Sequence, residues 1–203
     1  TNMNANEVIA NLASKYSKLD INPNDDVNMS QSSNDVIPTA MHCAYYVDTA
    51  EKLMPAMDLL IDTIAKKIAQ YHGVVKTGRT HLMDAMPLTI DQELGAWNSQ
   101  LLNARASLIT VLDALRFLPQ GGTAVGTGIN AHPRFAREFC KAISPLVGFK
   151  AETSNDYFRN LSSQDLSDQL SGELKNLAVI LMKISNDLRW MNIGPLAGIA
   201  EVE

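Results

Sequence analysis

The stretch LGAWNSQLLNARASLITVLDALRFL, residues 94–118, repeats apolar side chains in steps that alternate between three and four residues. This alternation is typical of long helices that pack side by side at shallow angles. At 1.5 Å per residue, the stretch predicts a helix about 37 Å long. The seam residues are Leu94, Trp97, Leu101, Ala104, Leu108, Val111, Leu115 and Leu118.

Two further stretches, residues 54–71 and 170–191, carry the same apolar repeat. Extra apolar residues widen each stripe, and a helix apolar over that width needs neighbours on more than one side. The sequence therefore predicts an all-α fold, a bundle of long helices partly buried against other subunits. A self-contained bundle is the alternative. The seams are Met54, Met57, Ile61, Ile64, Ile68 and Tyr71, and then Leu170, Leu174, Leu177, Leu181, Ile184, Leu188 and Met191.

Turn-forming residues separate these stretches. Residues 22–26 (Asn-Pro-Asn-Asp-Asp) have strong turn chemistry, and the stretch 121–128 contains four glycines. We expect a short helix to start near Pro38, and Pro55 to begin or kink the next helix. No convincing alternation of apolar and polar residues predicts a strand.

Composition excludes several classes of function. The chain has 203 residues, 46% of them apolar, and a net charge of −5, which offers no basic surface for nucleic acid. An anionic metabolite is not excluded, because local groups build such sites. Cys43 and Cys140 lack metal-ligand spacing and indicate reduced thiols in a cytoplasmic protein. No apolar run is long enough to span a membrane.

The segment Ser30–Asp35 concentrates hydroxyl and amide groups at the expected start of a helix. Together with free backbone N–H groups, Ser32, Ser33 and Asn34 can form an anion site there. The alternative is simple N-capping, followed by an Asp in the first turn.

The segment Gly78–Asp84 places His81 directly after Arg79 and Thr80, outside the apolar repeats and in a stretch that we expect to be irregular. An imidazole titrates near pH 6.5, which suits proton transfer at neutral pH. Thr80 can donate to a carboxylate, and Arg79 can bind one or form a structural ion pair. The two segments together can hold a small dicarboxylate and move a proton on it, although a lone histidine is often structural.

The other chemical motifs are weaker. His42 and His72 lie in helical stretches and are expected to be structural, while His132 precedes a proline and is expected to order a turn. Residues 126–131 match the G-x-G-x-x-A dinucleotide fingerprint, but that fingerprint requires a preceding strand and a βαβ unit. A glycine-rich loop that links helices or lines a site is favoured instead. No ligand spacing indicates a metal site.

These motifs resemble the fumarase/aspartase superfamily of homotetrameric lyases, and most closely the class II fumarate hydratases. Thr80-His81, His132-Pro133 and residues 121–125 are similar to the fumarases in particular. The matching motifs are Asn2-Met3-Asn4 with Asn6-Glu7, Pro23–Asn28, Ser30–Asp35 with Pro38-Thr39-Ala40, Gly78–Asp84, Gly121–Asn130, Lys183 with Asn186-Asp187 and Arg189-Trp190, and Gly194-Pro195 with Gly198.

The resemblance implies reversible anti addition of water to fumarate, giving malate, without a metal or other cofactor. Ser32, Ser33 and Asn34 would bind substrate carboxylates, Thr80 would be a further substrate contact, and His81 would donate or accept a proton. The family's sites are built from three subunits, so the two segments would serve different sites of a cytoplasmic homotetramer. Residues 1–37 would end an N-terminal lyase domain, and residues 38–203 would form an incomplete central helical domain.

Two departures from the family pattern stand out. The family's Gly-Ser-Ser loop with its catalytic serine does not occur, so we expect the 203 residues alone to be an inactive central piece of the enzyme. A secondary dicarboxylate site in some fumarases would correspond to Asn22, Pro23, Asn24 and Asp25, but its usual His and Arg are replaced here by Asn22 and Leu19. The alternatives are an aspartate ammonia-lyase and a non-catalytic helical oligomerisation module.

Overall fold

Helices dominate the computed structural model, which describes residues 1–194, 196 and 198–202. Pro195 of the Gly194-Pro195 motif and Glu203, the end of the predicted second domain, lie outside the described residues. Among the described residues the helices are α1 (Asn2–Ser17), α2 (Ser33–Asp48), α3 (Met54–Gln70), α4 (Ile90–Leu115), α5 (Phe135–Val147), α6 (Tyr157–Ser162) and α7 (Asp165–Met191). Two five-residue π-helical turns, Pro23–Val27 and Thr49–Leu53, precede α2 and α3 respectively.

Two small sheets accompany the helices. Strand β1 (Val75–Thr80) pairs antiparallel with β2 (Met83–Thr89), and the register shifts between Thr77 and Arg79. Strands β3 (Phe117–Leu118) and β4 (Glu152–Thr153) form a two-residue parallel pair. The β1–β2 hairpin corrects the expectation that residues 78–84 are irregular.

The three apolar repeats form the three long helices that they predict. Stretch 54–71 corresponds to α3, stretch 94–118 to α4 and stretch 170–191 to α7. The prediction of a mainly helical long-helix bundle is therefore confirmed. No described helix is both long enough and apolar enough to cross a membrane.

The prolines act differently from one another. The expectation of a short helix starting near Pro38 is wrong, because α2 begins at Ser33 and Pro38 lies inside it. The side chains of Ser32 and Asp35 cap the helix earlier, and cap hydrogen bonds decide where a helix begins. Pro55 lies in the first turn of α3, where a missing N–H costs little, as predicted.

The chain divides into two compact units. The first contains residues 1–50 and 111–168, and the second contains residues 51–110 and 169–203. The boundaries between units therefore fall inside the π-helical turn Thr49–Leu53, inside α4 and inside α7, whereas the predicted domain boundary at residues 37/38 falls inside α2. The assignment of residues 1–37 to the end of an N-terminal lyase domain stays a prediction.

The core of the first unit forms around β3, β4 and α5. Leu118, Cys140, Phe149 and Ala151 are buried there, and Cys43 and Tyr46 of α2 pack against them. The rings of Tyr46 and Phe149 stack with centroids 4.1 Å apart. Burial raises the pKa of the Cys140 thiol to about 11, so this thiol stays protonated.

The second unit buries part of each of the seams of α3, α4 and α7. Polar pairs join these helices: Arg105 Nε donates to Asp58 Oδ1 at 2.5 Å, and Trp97 Nε1 donates to Asp187 Oδ2 at 3.0 Å. The buried seam residues of this unit are Met54, Met57, Ile61, Ile64, Leu94, Trp97, Leu101, Ala104, Leu108, Leu170, Leu177, Ile184 and Met191.

Candidate active site

Ser32 is the N-cap of α2. Its backbone is extended, and its Oγ accepts a hydrogen bond from Asn34 N at 3.2 Å. Asp35 Oδ1 accepts from Ser32 N at 2.9 Å, which completes a capping box. A helix therefore starts at this segment, as predicted, and Ser32 caps it, as the capping alternative also predicts. Because a hydroxyl group has one proton and two lone pairs, Ser32 can accept from its helix and still donate to a ligand.

The next two side chains are tied to other parts of the first unit. Ser33 Oγ accepts from Asn2 Nδ2 at 3.1 Å, so its hydroxyl proton is also free to donate. Asn34 Nδ2 donates to the carbonyl oxygen of Ala124 at 2.8 Å. The Asn34 amide therefore already holds the glycine-rich loop, a contact that local sequence pattern does not reveal.

Buried asparagines support this segment from α1. Asn2 and Asn6 each donate through Nδ2 to Asn28 Oδ1, at 3.2 and 3.0 Å. Both are buried, although asparagine is usually exposed. The network orders the chain before Ser32, and the spacing of these asparagines in the sequence does not reveal it.

The glycine-rich loop, defined as residues 121–130, faces the start of α2 across a small cavity. The cavity has a volume of about 240 Å³ and is lined by Ser30–Ser32 and by Thr123, Ala124, Ile129 and Asn130. Ser30, Thr123 and Asn130 adopt left-handed backbone angles, with φ of 63°, 58° and 62°. Such angles are readily adopted by asparagine but are costly for Ser30 and Thr123, and residues held in this way concentrate at functional sites.

The same loop does not have the context of a dinucleotide site. The preceding strand β3 has two residues and ends at Leu118, and the next helix starts only at Phe135. A dinucleotide fingerprint must join a strand directly to a helix N-terminus. The favoured interpretation, a glycine-rich loop that lines a site cavity, agrees with the structure.

His81 and Leu82 form the two-residue turn of the β1–β2 hairpin. Both have positive φ, 52° and 59°, and the turn follows Thr80 at the end of β1. Two-residue hairpin turns of this kind usually contain Asn and Gly, so His and Leu are under strain here. The turn leaves both Thr80 and His81 exposed at the tip of the hairpin.

Charged groups anchor β1 at Lys76 and at Arg79. The Arg79 guanidinium pairs with Glu201, and the Lys76 ammonium pairs with Glu93 and with Glu201 Oε2, the latter at 2.7 Å. Burial opposes the charged form of Lys76, but these carboxylates outweigh it and raise the Lys76 pKa. The sequence leaves two roles open to Arg79, binding a carboxylate ligand or forming a structural ion pair. The structure shows the ion pair.

The remaining histidines contact other groups of the chain, and His72 lies outside a helix, contrary to expectation. His42 is buried in α2, with Nδ1 3.2 Å from the Phe117 carbonyl oxygen. His72 lies just beyond α3 with Nδ1 3.0 Å from Asp91 Oδ2. His132 Nδ1 accepts from Arg134 N at 3.2 Å and orders a turn.

The segment of the suspected secondary dicarboxylate site satisfies its own backbone donors. Asn22 Oδ1 accepts from Asn24 N at 2.8 Å and from Asp25 N at 3.1 Å. Asp26 Oδ2 accepts from Asn22 N at 2.8 Å. The N–H groups that an anion would need are therefore already occupied.

The structure brings Ser32, Ser33 and Asn34 together with the glycine-rich loop in the first unit. It places Thr80 and His81 next to each other in the second unit. The roles of these five residues in binding and catalysis stay predictions.

Comparisons with known proteins agree with the motifs. The chain is 53% identical over 203 residues to "Fumarate hydratase class II 2" of Pseudomonas aeruginosa, covering 100% of this chain and 44% of that protein. It is also 53% identical to "Fumarate hydratase class II" of Xylella fastidiosa, with 100% and 43% covered. The crystal structure of a class II fumarase from Schistosoma mansoni superimposes with a TM-score of 0.92 at 36% identity, covering 97% of this chain and 46% of that one.

The chain thus spans less than half the length of these relatives. The sequence model of the lyase family matches residues 1–203. Since the match extends over every residue, the chain belongs to the lyase family, as its fumarase-like motifs predicted.

Proposed function

We propose that the protein is a fumarate hydratase, which catalyses the reversible hydration of fumarate to malate. The observation that carries the proposal is the start of α2, where the Ser32 and Ser33 hydroxyl oxygens accept hydrogen bonds from the chain, so that each O–H group can donate to a ligand. Donors of this kind suit a carboxylate, and the relatives reported above are named for fumarate hydration. The substrate class is a small dicarboxylate.

In the direction from malate to fumarate, the difficult step is removal of a weakly acidic C–H proton next to a carboxylate. The C–O bond then breaks and the hydroxyl group takes up a proton and leaves as water, and hydration is the reverse of these steps. Once the C–H proton is removed, the carboxylate carries extra negative charge, which preorganised hydrogen-bond donors stabilise in the manner of an oxyanion hole. Ser32, Ser33, Asn34 and Thr80 supply suitable donors, of which Asn34 also braces the glycine-rich loop. His81 exchanges a proton with the substrate or with a bound water, because imidazole changes charge near neutral pH.

We further propose that the protein works as a cytoplasmic homotetramer of the tricarboxylic acid cycle, with each site assembled from several subunits. The exposed half of the α7 seam supports this assembly. Leu170, Leu177, Ile184 and Met191 are buried, while Leu174, Leu181 and Leu188, which alternate with them, are 38–44% exposed. Seam leucines that remain exposed in one chain are expected to be buried by a helix of another chain.

The proposal is tested by measuring which substrates the complete enzyme converts when it is expressed from its natural gene. We expect rapid loss of fumarate absorbance with matching formation of L-malate, and no release of ammonia from L-aspartate. Ammonia release without malate formation would indicate an aspartate ammonia-lyase instead. A folded protein that converts neither substrate would favour the non-catalytic oligomerisation module.

A further inference from the structure

Asp35 is a carboxylate enclosed in the first unit. Its side chain is 0% exposed, although aspartate is almost never fully buried without partners. Within the part of the chain that the structure describes, its three hydrogen-bond donors are backbone N–H groups rather than a lysine or an arginine. Burying a carboxylate costs free energy, so the buried position of Asp35 needs a physical explanation.

The two oxygens of Asp35 bind two different segments of the chain. Oδ1 accepts from Ser32 N at 2.9 Å, next to the predicted carboxylate-binding hydroxyls. Oδ2 accepts from Gly121 N at 3.0 Å and from Thr123 N at 2.8 Å, both in the glycine-rich loop. One side chain therefore connects both walls of the 240 Å³ cavity.

The loop needs this connection because its backbone is strained there. Thr123 is β-branched and has a φ of 58°, an angle that such residues rarely adopt. Its N–H is one of the two that Asp35 Oδ2 holds. The carboxylate thus stabilises a loop conformation that the local sequence disfavours.

We propose that Asp35 is a positioning residue for the substrate site: it fixes the Ser32 and Ser33 hydroxyls relative to the glycine-rich loop. This inference rests on the proposed function, because it concerns the binding of the same dicarboxylate. A carboxylate suits the task since both of its oxygens accept, whereas an amide would turn N–H groups towards a backbone N–H. Asp35 also lies in the first turn of α2, where the helix dipole favours a negative charge.

The test is Asp35→Asn in the complete enzyme. We expect the KM for fumarate and for L-malate to rise by about ten- to hundredfold, the range that follows from losing hydrogen bonds to a charged group. The kcat should fall much less, and the pH profile of kcat should keep its shape, because Asp35 does not exchange a proton with substrate. A merely structural role would lower the melting temperature without raising KM, since removing a nearby negative charge by itself favours an anionic substrate.

A second variant covers the case in which Asp35→Asn folds poorly. Asp35→Ser keeps a short acceptor for the Ser32 N–H, drops the bonds to the loop and turns no amide N–H towards the backbone. It should show the same rise in KM. The matched control is Asp156→Asn, which removes the same charge from another helix N-cap in the first unit, where Asp156 Oδ1 accepts from Arg159 N at 3.0 Å, and which should leave KM unchanged.

The outcomes separate this inference from the proposed function. Folded Asp35 variants with KM within about twofold of the wild type would overturn the positioning role, as would a loss of kcat at constant KM. A wild-type enzyme that neither hydrates fumarate nor gains thermal stability from L-malate would overturn the proposed function and this inference together.

Discussion

His42 places an ionisable ring in the interior of the first unit. Burial lowers the pKa of His42, and the hydrogen bond at the Phe117 carbonyl oxygen offsets this only in part. The folded protein therefore favours the neutral ring, whereas an unfolded chain would protonate the same ring near pH 6.5.

The His42 pKa predicts a loss of stability in mild acid. The unfolded state binds the additional proton once the pH falls below about 6.5, so the free energy of unfolding should decrease from there towards the lower folded pKa. His42→Gln should remove this part of the pH dependence in denaturant titrations between pH 7.5 and pH 5. If the free energy of unfolding depended on pH equally in the wild type and in His42→Gln, the account would be contradicted.

At the same scale, sequence reasoning identified the cap but not its distant partners. Ser32 followed by Asp35 is a local pattern, and it correctly indicated a helix N-terminus. The contacts of Asp35 with Gly121 and Thr123 join residues more than 80 positions apart. Periodicity and spacing contain no information about such a pairing.

The hairpin is the element on which His81 depends. Gly78 is buried at its register shift, and a Cβ built there would lie 2.4 Å from the Met86 carbonyl oxygen. Any other residue at position 78 therefore pushes β2 away from β1.

Gly78→Ala should weaken the hairpin and the activity together. We expect a loss of about 1–3 kcal/mol in stability, because the clash is with backbone that cannot rotate away, and lower fumarate turnover as the His81 turn shifts. The measurements are urea unfolding and fumarate absorbance.

Gly95→Ala is the matched control, since Gly95 lies in α4 with open space around its Cβ direction. That substitution should stabilise the protein by up to about 1 kcal/mol through helix propensity. The hairpin account would be wrong if Gly78→Ala were as stable and as active as Gly95→Ala.

The long helices could be predicted from sequence, whereas the hairpin could not. The apolar repeats of α3, α4 and α7 persist over several turns, which makes them strong signals. Strand β1 (VKTGRT) and strand β2 (MDAMPLT) are largely exposed and carry no clear alternation. A two-stranded hairpin of this kind leaves little pattern, because neither face of it is consistently buried.

At the scale of the whole molecule, the uncovered apolar side chains of α7 are the main feature. Met182 of α7 is 60% exposed, close to the exposed seam leucines. Exposed apolar stripes on a long helix mark a surface for another helix.

Met182→Glu should therefore break the assembly of the complete enzyme. A charge costs little at an exposed site in one chain but is expensive when buried between subunits. Sedimentation velocity should show a shift from the proposed tetramer to smaller species, with fumarate turnover falling in parallel. Gln100→Glu adds the same charge to an exposed polar position of α4 and should leave the tetramer intact. A Met182→Glu protein that remained a fully active tetramer would argue against this surface.

The most direct test of the central claim is the rate of fumarate hydration by the complete enzyme with His81→Asn. A proton-transfer role predicts that kcat falls by about 10²–10⁴-fold, with the melting temperature and the assembly unchanged. His132→Asn, which alters a histidine that orders a turn, should retain most of the activity. If His81→Asn instead hydrated fumarate within about threefold of the wild-type rate, His81 would not be the catalytic residue, because losing a general acid or base costs far more.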